Sequence, residues 1–523
     1  MHTTSTNGLP SLPELSEIAA TNNPDRVAYG EATTGREITW STFEERSLCA
    51  ANGFREHCAQ GDRVAFLCDC SIAHTVLYNG AMKAGCLVSN LHTRASAETI
   101  RYCIDAIRPR VLVIDETFSE FVEEDLYEQI TTDLDAVVTT GSEQTGYEQS
   151  HEPFIESHAA VEPDVRVRED DIAAILWTSG TTGRPKGWCF THRALCHKAF
   201  HLEKLLALDR NAAQAHVFTP SFAAWLMLYL PGLSSSAATY FLSSWNPEAY
   251  VELIDEKGLT TADLIPTMWQ EVLRLDSLSE YDLSSLDRVV TSGEYLDERT
   301  FTQMREHICE SVYNSYAATE VLGTEISAQE LTEDRTGSVG KPIPGTRVRV
   351  VEPDGRPDEI KPAGETGEII INGPDCAAWA WNDTEKTEEV FEDGWWYSGD
   401  LGYKDEDGYL YVEGRTDFMI KSKGIKVFPT PIEERLLEHP AVEQAAVLGR
   451  PDEEYGEKVV AVVRRSDADV GPDELEAWCL ESENVARFER PREYHFVDEA
   501  FPRTATEKLD RAALRSRLLS EES

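Results

Sequence analysis

Apolar positions along the chain alternate between two spacings, and the alternation predicts the architecture. From Ser41 to Cys58 they return at helical spacing. Ser41 stands where an N-cap belongs, and Glu44 follows three residues on. Arg63 to Cys68 is a short apolar run of the kind a buried parallel strand uses. Ile72 to Ala84 is helical again, and Arg110 to Ile114 is the next strand. Glu116 to Asp170 is acidic with little periodicity and is expected to form surface structure between core elements. A second alternating block runs from Ala173 to about Ser315. Alternation of this kind predicts an α/β fold with parallel sheet.

The texture then changes. From Gly337 to Val412, short β runs (Arg347 to Val351, Glu368 to Ile371, Tyr409 to Val412) are separated by Gly, Pro and Asp turns. They predict a β-rich, mostly antiparallel subdomain. After Gly414 come a helix from Pro431 to Leu437, strands at Val442 to Leu448 and Val459 to Val463, and a helix from Pro472 to Leu480. About 110 residues remain there, enough for a small separate α+β domain.

One stretch tests membrane insertion. Asn211 to Pro247 contains no Asp, Glu, Lys or Arg. Pro220, Pro231 and Gly232 divide it, and its apolar core, Phe222 to Leu230, is far shorter than the roughly 20 residues of a span. It is expected to be a buried helix followed by a buried strand near a ligand pocket, with no membrane insertion. Met1 to Pro10 is polar and lacks the apolar core of a signal peptide, so the expected location is cytoplasmic.

Composition narrows the partners. The 523 residues include 94 Asp+Glu against 48 Lys+Arg, a net charge of −46. The apolar fraction of 41% is that of a folded globular chain. Charge of this sign argues against nucleic acid or anionic lipid as partners. Only 14 of the basic residues are lysine. Many carboxylates with few lysines resemble the surfaces of halophilic proteins, which stay hydrated in strong salt. Eleven cysteines are scattered, with Cys68 and Cys70 forming C-x-C and no C-x-x-C pair. Reduced, mostly buried thiols are expected.

The segment Leu176-Trp177-Thr178-Ser179-Gly180-Thr181-Thr182-Gly183-Arg184-Pro185-Lys186-Gly187 follows an apolar strand, Ile172 to Leu176. Its glycines let backbone N–H groups turn inward, its hydroxyls add donors, and Lys186 adds a fixed positive charge. The combination suits a polyphosphate. The spacing differs from a Walker A loop, because no Gly-Lys-Ser/Thr is present.

This segment resembles the phosphate loop of the adenylate-forming superfamily, which includes AMP-dependent acyl-CoA synthetases, peptide-synthetase adenylation domains and luciferases. Further motifs follow in the family's order. In Tyr316-Ala317-Ala318-Thr319-Glu320 the resemblance implies an aromatic face for adenine, a hydroxyl for the α-phosphate and a hard carboxylate for Mg²⁺. Ala317 replaces the family's usual glycine. Thr291-Ser292-Gly293-Glu294 resembles the turn beside the adenine and acyl pocket. Asp400, in Tyr397-Ser398-Gly399-Asp400, corresponds to the ribose-binding carboxylate. Arg415, in Gly414-Arg415-Thr416-Asp417, is expected at ribose or phosphate, and Asp417 at the hinge. The loop Ile420-Lys421-Ser422-Lys423-Gly424-Ile425-Lys426 resembles the segment that meets CoA, with Lys423 and Gly424 as contacts. Lys508, in Thr504-Ala505-Thr506-Glu507-Lys508, corresponds to the lysine bridging substrate carboxylate and α-phosphate. Glu507 stands where the family has glycine.

The resemblance implies a large N-terminal AMP-binding domain over residues 1–414, built of αβ-layered parallel sheets plus the β-rich subdomain. A hinge at 415–417 and a small, mobile α+β domain over 418–523 complete it. The implied catalytic residues are Lys508, Thr178 and Glu320. The implied nucleotide site is Thr178, Ser179, Gly180, Thr181, Thr182, Gly183, Lys186, Gly293, Glu294, Tyr316, Ala317, Thr319, Asp400, Arg415 and Lys508. Glu320 is the implied metal ligand. ATP, Mg²⁺ and coenzyme A are the implied cofactors. The acyl pocket is expected around Phe222, Ala223, Trp225, Ser292, Ser315 and Ala317. Ala223 replaces the aspartate that holds an amino-acid ammonium in peptide synthetases, which favours an alkyl or aryl acid. His192, just after the phosphate loop, is expected in a structural hydrogen bond.

The implied reaction is acyl-CoA synthesis by adenylation and thioester formation. Loading of a separate carrier protein is the alternative acceptor chemistry. A non-catalytic nucleotide-binding module and luciferase-type oxidation are weaker alternatives. The chain is expected as a monomer or a dimer.

Overall fold

The computed structural model describes residues 9–121, 134–141, 148–178, 184–327, 329–331, 335, 337–353, 355–466, 470–482, 485–502 and 509–520. Two compact units contain them: Met1–Val348 with Ile371–Trp396, and Arg349–Ile370 with Tyr397–Ser523. The turn-rich segment predicted from Gly337 to Val412 is divided between them.

The first unit holds two sheets with helices against them. One runs in the order Trp379–Ala380, Lys186–Thr191, Ile172–Thr178, Leu87–Asn90, Arg63–Leu67, Val111–Ile114, Ala136–Thr139 and Glu148–Ser150. From Ile172–Thr178 onward its neighbours are parallel. The last two strands lie in the stretch expected to be surface structure. Ala136–Thr139 is a short apolar run, and it extends the edge by pairing with Val111–Ile114.

The second sheet places Ser338–Pro342, Val321–Ser327, Val312–Ala318, Arg288–Ser292, Thr261–Asp263, Ala213–His216, Ala238–Phe241, Val27–Glu31 and Glu37–Thr39 side by side. Its centre, from Val312–Ala318 to Val27–Glu31, is parallel. The uncharged stretch forms the buried helix Ala223–Ser235 and the strand Ala238–Phe241, as the pattern predicts. No described helix is long and apolar enough to cross a membrane.

The helix expected from Ser41 begins instead at Trp40, and Thr39 caps it by accepting from the Thr42 N–H. Trp40 is fully buried, so packing of its indole places the first turn one residue earlier. Glu44 is consequently no capping partner. It forms a buried ion pair with Lys83 at 2.6 Å, and the Ser16 hydroxyl donates to it. Lys83 also donates to the Pro13 carbonyl, so the pair anchors the N-terminal helix Leu12–Asn22.

Strands Arg347–Val351, Gly367–Asn372, Trp395–Lys404 and Leu410–Arg415, the first three only in part within the second unit, adjoin in that order. A five-stranded sheet follows, built on the long antiparallel pair Val442–Asp452 and Gly456–Arg465. Helices Pro429–Leu437, Pro472–Leu480 and Arg511–Ser520 complete it. All eleven cysteines are free thiols, as expected.

Candidate active site

The phosphate-loop segment joins two antiparallel strands. Thr178, the last residue of one, pairs directly with Lys186, the first of the next. The loop therefore leaves and re-enters the sheet at one point, with a hydroxyl and an ammonium at its two ends. The Thr178 hydroxyl accepts from the Trp188 indole N–H at 3.2 Å, which fixes its rotamer. Burial lowers the Lys186 pKa from the ordinary lysine value, and the nearby Lys386 ammonium lowers it further. Ser179, Gly180, Thr181, Thr182 and Gly183 lie outside the described residues.

The Tyr316–Glu320 motif occupies a second hairpin. Ala318 pairs with Val321, so Thr319 and Glu320 form its two-residue turn. A bulge between Tyr316 and Ala317 breaks the register beside the turn, as bulges do where a side chain is re-aimed. Gly323 on the returning strand makes this possible. A Cβ there would lie 2.8 Å from the Tyr316 carbonyl oxygen and 2.9 Å from its ring. The sequence carries no signal for that role, since the close approach is made across strands.

Behind the turn lies a buried cation that the motifs did not reveal. The Lys198 side chain, on helix His192–Leu205, rests 5.2 Å from the centre of the Phe190 ring. Burial holds its pKa below the ordinary value, while Asp375, Cys376 and Glu320 oppose that shift. Asp375 is itself fully buried and accepts from the Leu322 N–H at 2.9 Å, close to the same turn.

Gly293 and Glu294 follow the strand Arg288–Ser292. The Glu294 carboxylate accepts from the Thr267 N–H at 3.2 Å, tying this turn to the start of helix Pro266–Leu273. Ser292 pairs with Ser315 on the neighbouring strand, so these two proposed acyl-pocket residues are adjacent. Ala317 packs beside the apolar group that includes Met227, Leu228 and Val290. Phe222 stands immediately before helix Ala223–Ser235, its ring 4.9 Å from that of His92. Trp225 is fully enclosed, stacked on Tyr229 at 4.5 Å, with its indole N–H donating to the Cys70 sulfur.

His192 is buried and accepts from the Leu12 N–H at 3.4 Å. Burial lowers its pKa to about 4, so it is neutral in a structural hydrogen bond, as the sequence reading expected.

In the second unit, Arg415 donates to Asp400 at 2.8 Å and approaches Asp417 at 3.8 Å. One guanidinium thus links the ribose, phosphate and hinge candidates. Lys423 and Gly424 form a two-residue hairpin turn between Ile420–Ser422 and Ile425–Val427, both with positive φ, the conformation of a tight type I′ turn. Its own chain neighbours aside, no heavy atom of a described residue lies within 4 Å of a Cβ built on Gly424, whose positive φ serves the turn. The Lys423 ammonium is paired with Glu454 at 2.6 Å and lies over the Tyr455 ring. Lys508 lies outside the described residues, as does the Lys426 side chain.

Residues 16–378 match the family model for AMP-binding enzymes, and residues 431–508 match the model for the AMP-binding enzyme C-terminal domain. Similar curated proteins include a feruloyl-CoA synthase of Amycolatopsis sp, 30% identical over 494 residues, covering 92% of this chain and 94% of the relative. A fatty acid–[acyl-carrier-protein] ligase, ScoC, of Streptomyces coeruleorubidus is 28% identical, covering 97% and 96%. Among solved structures, ATP-bound MatB from Rhodopseudomonas palustris superimposes with a TM-score of 0.87 at 25% identity, covering 97% of this chain and 99% of that one.

Proposed function

Because the chain belongs to the AMP-binding enzyme family, we propose that it joins a carboxylic acid to the thiol of coenzyme A by way of an acyl-adenylate. It is an AMP-forming acid–thiol ligase, with ATP and CoA as substrates. In the first half-reaction the carboxylate oxygen attacks the α-phosphorus, and pyrophosphate departs. In the second, the thiol attacks the acyl carbon, and AMP departs.

The observation that carries the assignment is the pairing of Thr178 with Lys186 across the ends of the Gly/Ser/Thr loop. It fixes a hydroxyl and a cation at the mouth of a loop suited to polyphosphate. Phosphoryl chemistry of this kind needs positioning and charge neutralisation and no protein nucleophile. Thr178, Ser179 to Gly183 and Lys186 would hold the phosphates, and Thr319 the α-phosphate. Tyr316, Ala317, Gly293 and Glu294 would flank adenine, and Asp400 and Arg415 the ribose. Lys508 would bridge the two reacting groups.

Glu320 fits a nucleotide-bound Mg²⁺. Such an ion takes one or two carboxylates from the protein and its remaining ligands from phosphate and water, and the described residues offer no cluster of three or more metal-ligating side chains. When bound, Mg²⁺ supplies neutralisation of phosphate charge. Asp417 is the proposed hinge between domains 1–414 and 418–523. Lys423 and Gly424 would serve CoA in the second half-reaction. The acid would sit among Phe222, Ala223, Trp225, Ser292, Ser315 and Ala317.

ATP–pyrophosphate exchange with a panel of alkyl and aryl carboxylates tests the reaction, and no exchange with any acid would overturn it. Lys508→Ala should suppress exchange at least 100-fold while leaving thioester formation from supplied acyl-adenylate within about threefold. Equal losses in both steps would contradict the role of Lys508. A second reading, transfer to a carrier protein, draws on the similarity to an acyl-carrier-protein ligase. AMP release that requires added holo-carrier and ignores CoA would establish it.

A further inference from the structure

Strands buried on both faces of a parallel sheet are ordinarily almost continuously apolar. One face of the second sheet departs from that rule. In register, Gln214 is level with Thr261, and Asp263 with Val290. Two positions beyond Gln214, His216 comes level with Asp263. Two positions beyond Val290 stands Ser292, opposite Ser315. Side chains two apart share a face, so Gln214, His216, Thr261, Asp263, Ser292 and Ser315 line one side. Val290, on that side, packs with Met227 and Leu228 of helix Ala223–Ser235.

The hydrogen-bond polarity of these groups is fixed. His216 Nε2 lies 2.8 Å from the Trp225 carbonyl oxygen, which can only accept. Nε2 therefore carries the proton, and Nδ1 is a bare acceptor, buried without a partner among the described residues. The Gln214 amide nitrogen donates to the Leu228 carbonyl and the Thr239 hydroxyl, which leaves its Oε1 an acceptor, likewise buried without a partner. Asp263 is 4% exposed, and no hydrogen bond or ion pair from a described residue reaches its carboxylate. Ser315 Oγ and Thr261 Oγ1 are also buried without partners. Arg288, level with Thr261 on this face, donates from its Nη1 to the Lys204 and Leu205 carbonyls and stacks on the Tyr313 ring, and among the described residues no cation is paired with Asp263. Unpaired buried acceptors are costly, and a group that supplies donors would relieve those within its reach.

We propose that this acceptor-lined floor is the distal end of the acyl pocket, and that Asp263 with His216 selects acids carrying a hydrogen-bond donor, a hydroxyl or an amine, on the part of the molecule remote from the reacting carboxylate. The inference rests on the adenylation reading and deepens it. Ser292 and the Gly293–Glu294 turn lie at the nucleotide end of the strand. Asp263 is level with a position two residues earlier, roughly 7 Å deeper at about 3.3 Å per residue, which is the length of a six-membered ring with its substituents. Burial pushes the Asp263 carboxyl up to about 7. Both its forms accept a hydrogen bond, and the ionised form also suits a protonated amine.

The test uses three scaffolds (benzoate, phenylacetate and cinnamate), each in hydroxyl, amino and methyl forms. The readout is kcat/KM for ATP–pyrophosphate exchange. On the best scaffold the full-length enzyme should prefer a hydroxyl or amino acid over the methyl isostere at least tenfold. Whichever donor is preferred identifies the substituent. Asp263→Leu should bring that ratio to twofold or less, chiefly by raising exchange with the methyl acid. If Asp263→Leu does not fold, the near-isosteric Asp263→Asn is read in its place and should lower the ratio at least threefold. Equal use of donor and methyl acids by the wild type would mean that water alone completes these acceptors, and would overturn the proposal while exchange itself upholds adenylation. An unchanged ratio in the variant would do the same. No exchange with any acid would overturn both.

Discussion

At the scale of single residues, placement around the nucleotide motifs depends on close approach as much as on the motif residues. Gly323 is the clearest case. Its missing Cβ would meet backbone at 2.8 Å, and backbone cannot swing aside as a long side chain can. Gly323→Ala should therefore displace the Tyr316 segment, raising KM for ATP at least tenfold with far-UV circular dichroism unchanged. An unaltered KM would show that Tyr316 is not placed by this contact. His192 supports a pH prediction. Its folded pKa, about 4 through burial, lies below the ordinary 6.5. A depressed histidine contributes stability that is present above pH 6.5 and lost as the pH falls toward 4. The gap of about 2.5 units is worth about 3 kcal/mol. Asp263 and Glu434, raised by burial to about 7 and about 8, gain stability on acidification, so the total stability curve masks the effect. The difference between wild type and His192→Gln exposes it. The variant should be less stable at pH 7.5, and the gap should close or invert by pH 5. A constant gap across that range would contradict a neutral buried His192.

At the scale of elements, the N-terminal helix Leu12–Asn22 is held by the buried Lys83–Glu44 pair as well as by apolar packing. Removing one partner leaves an uncompensated buried charge, whereas removing both does not. Lys83→Met should cost about 3–5 kcal/mol in urea unfolding, and Glu44→Gln combined with Lys83→Met should recover at least half of that. Additive losses would mean that the two groups act independently. The same region shows where sequence reading stops. Periodicity located the helix near residues 41–58, because its apolar face repeats. It could not show that Trp40 packs into the core and moves the cap to Thr39, since that is a tertiary contact. The strands Ala136–Thr139 and Glu148–Ser150 were hidden for a related reason: each is short, and their acidic surroundings carry no period. The site motifs were legible because phosphate chemistry demands glycine, hydroxyl and lysine close together in sequence. Asp263, Lys198 and Gly323 act through register and burial, which a linear reading does not contain.

At the scale of the whole molecule, the net charge of −46 opposes the binding of ATP and CoA, both polyanions. Lys83 and Lys198 are buried among carboxylates and an aromatic ring, and Lys423 is paired with Glu454. The fixed cations are outnumbered by the acids they would offset, and mobile ones must do the rest. The screening length falls from about 10 Å at 0.1 M salt to about 3 Å at 1 M, which weakens exposed ion pairs and the summed repulsion together. With 94 acidic against 48 basic residues, at least 46 carboxylates, about half, have no cation available, so the repulsive sum is the larger quantity. Raising KCl from 0.1 to 2 M should thus increase the Tm and lower KM for ATP at least threefold. KCl is chosen because sulfate would strengthen burial by exclusion from the surface and mimic the result. A Tm that falls with KCl, or a KM for ATP that rises as it does in enzymes steered by a positive field, would show that the acidic surface is not built for strong salt.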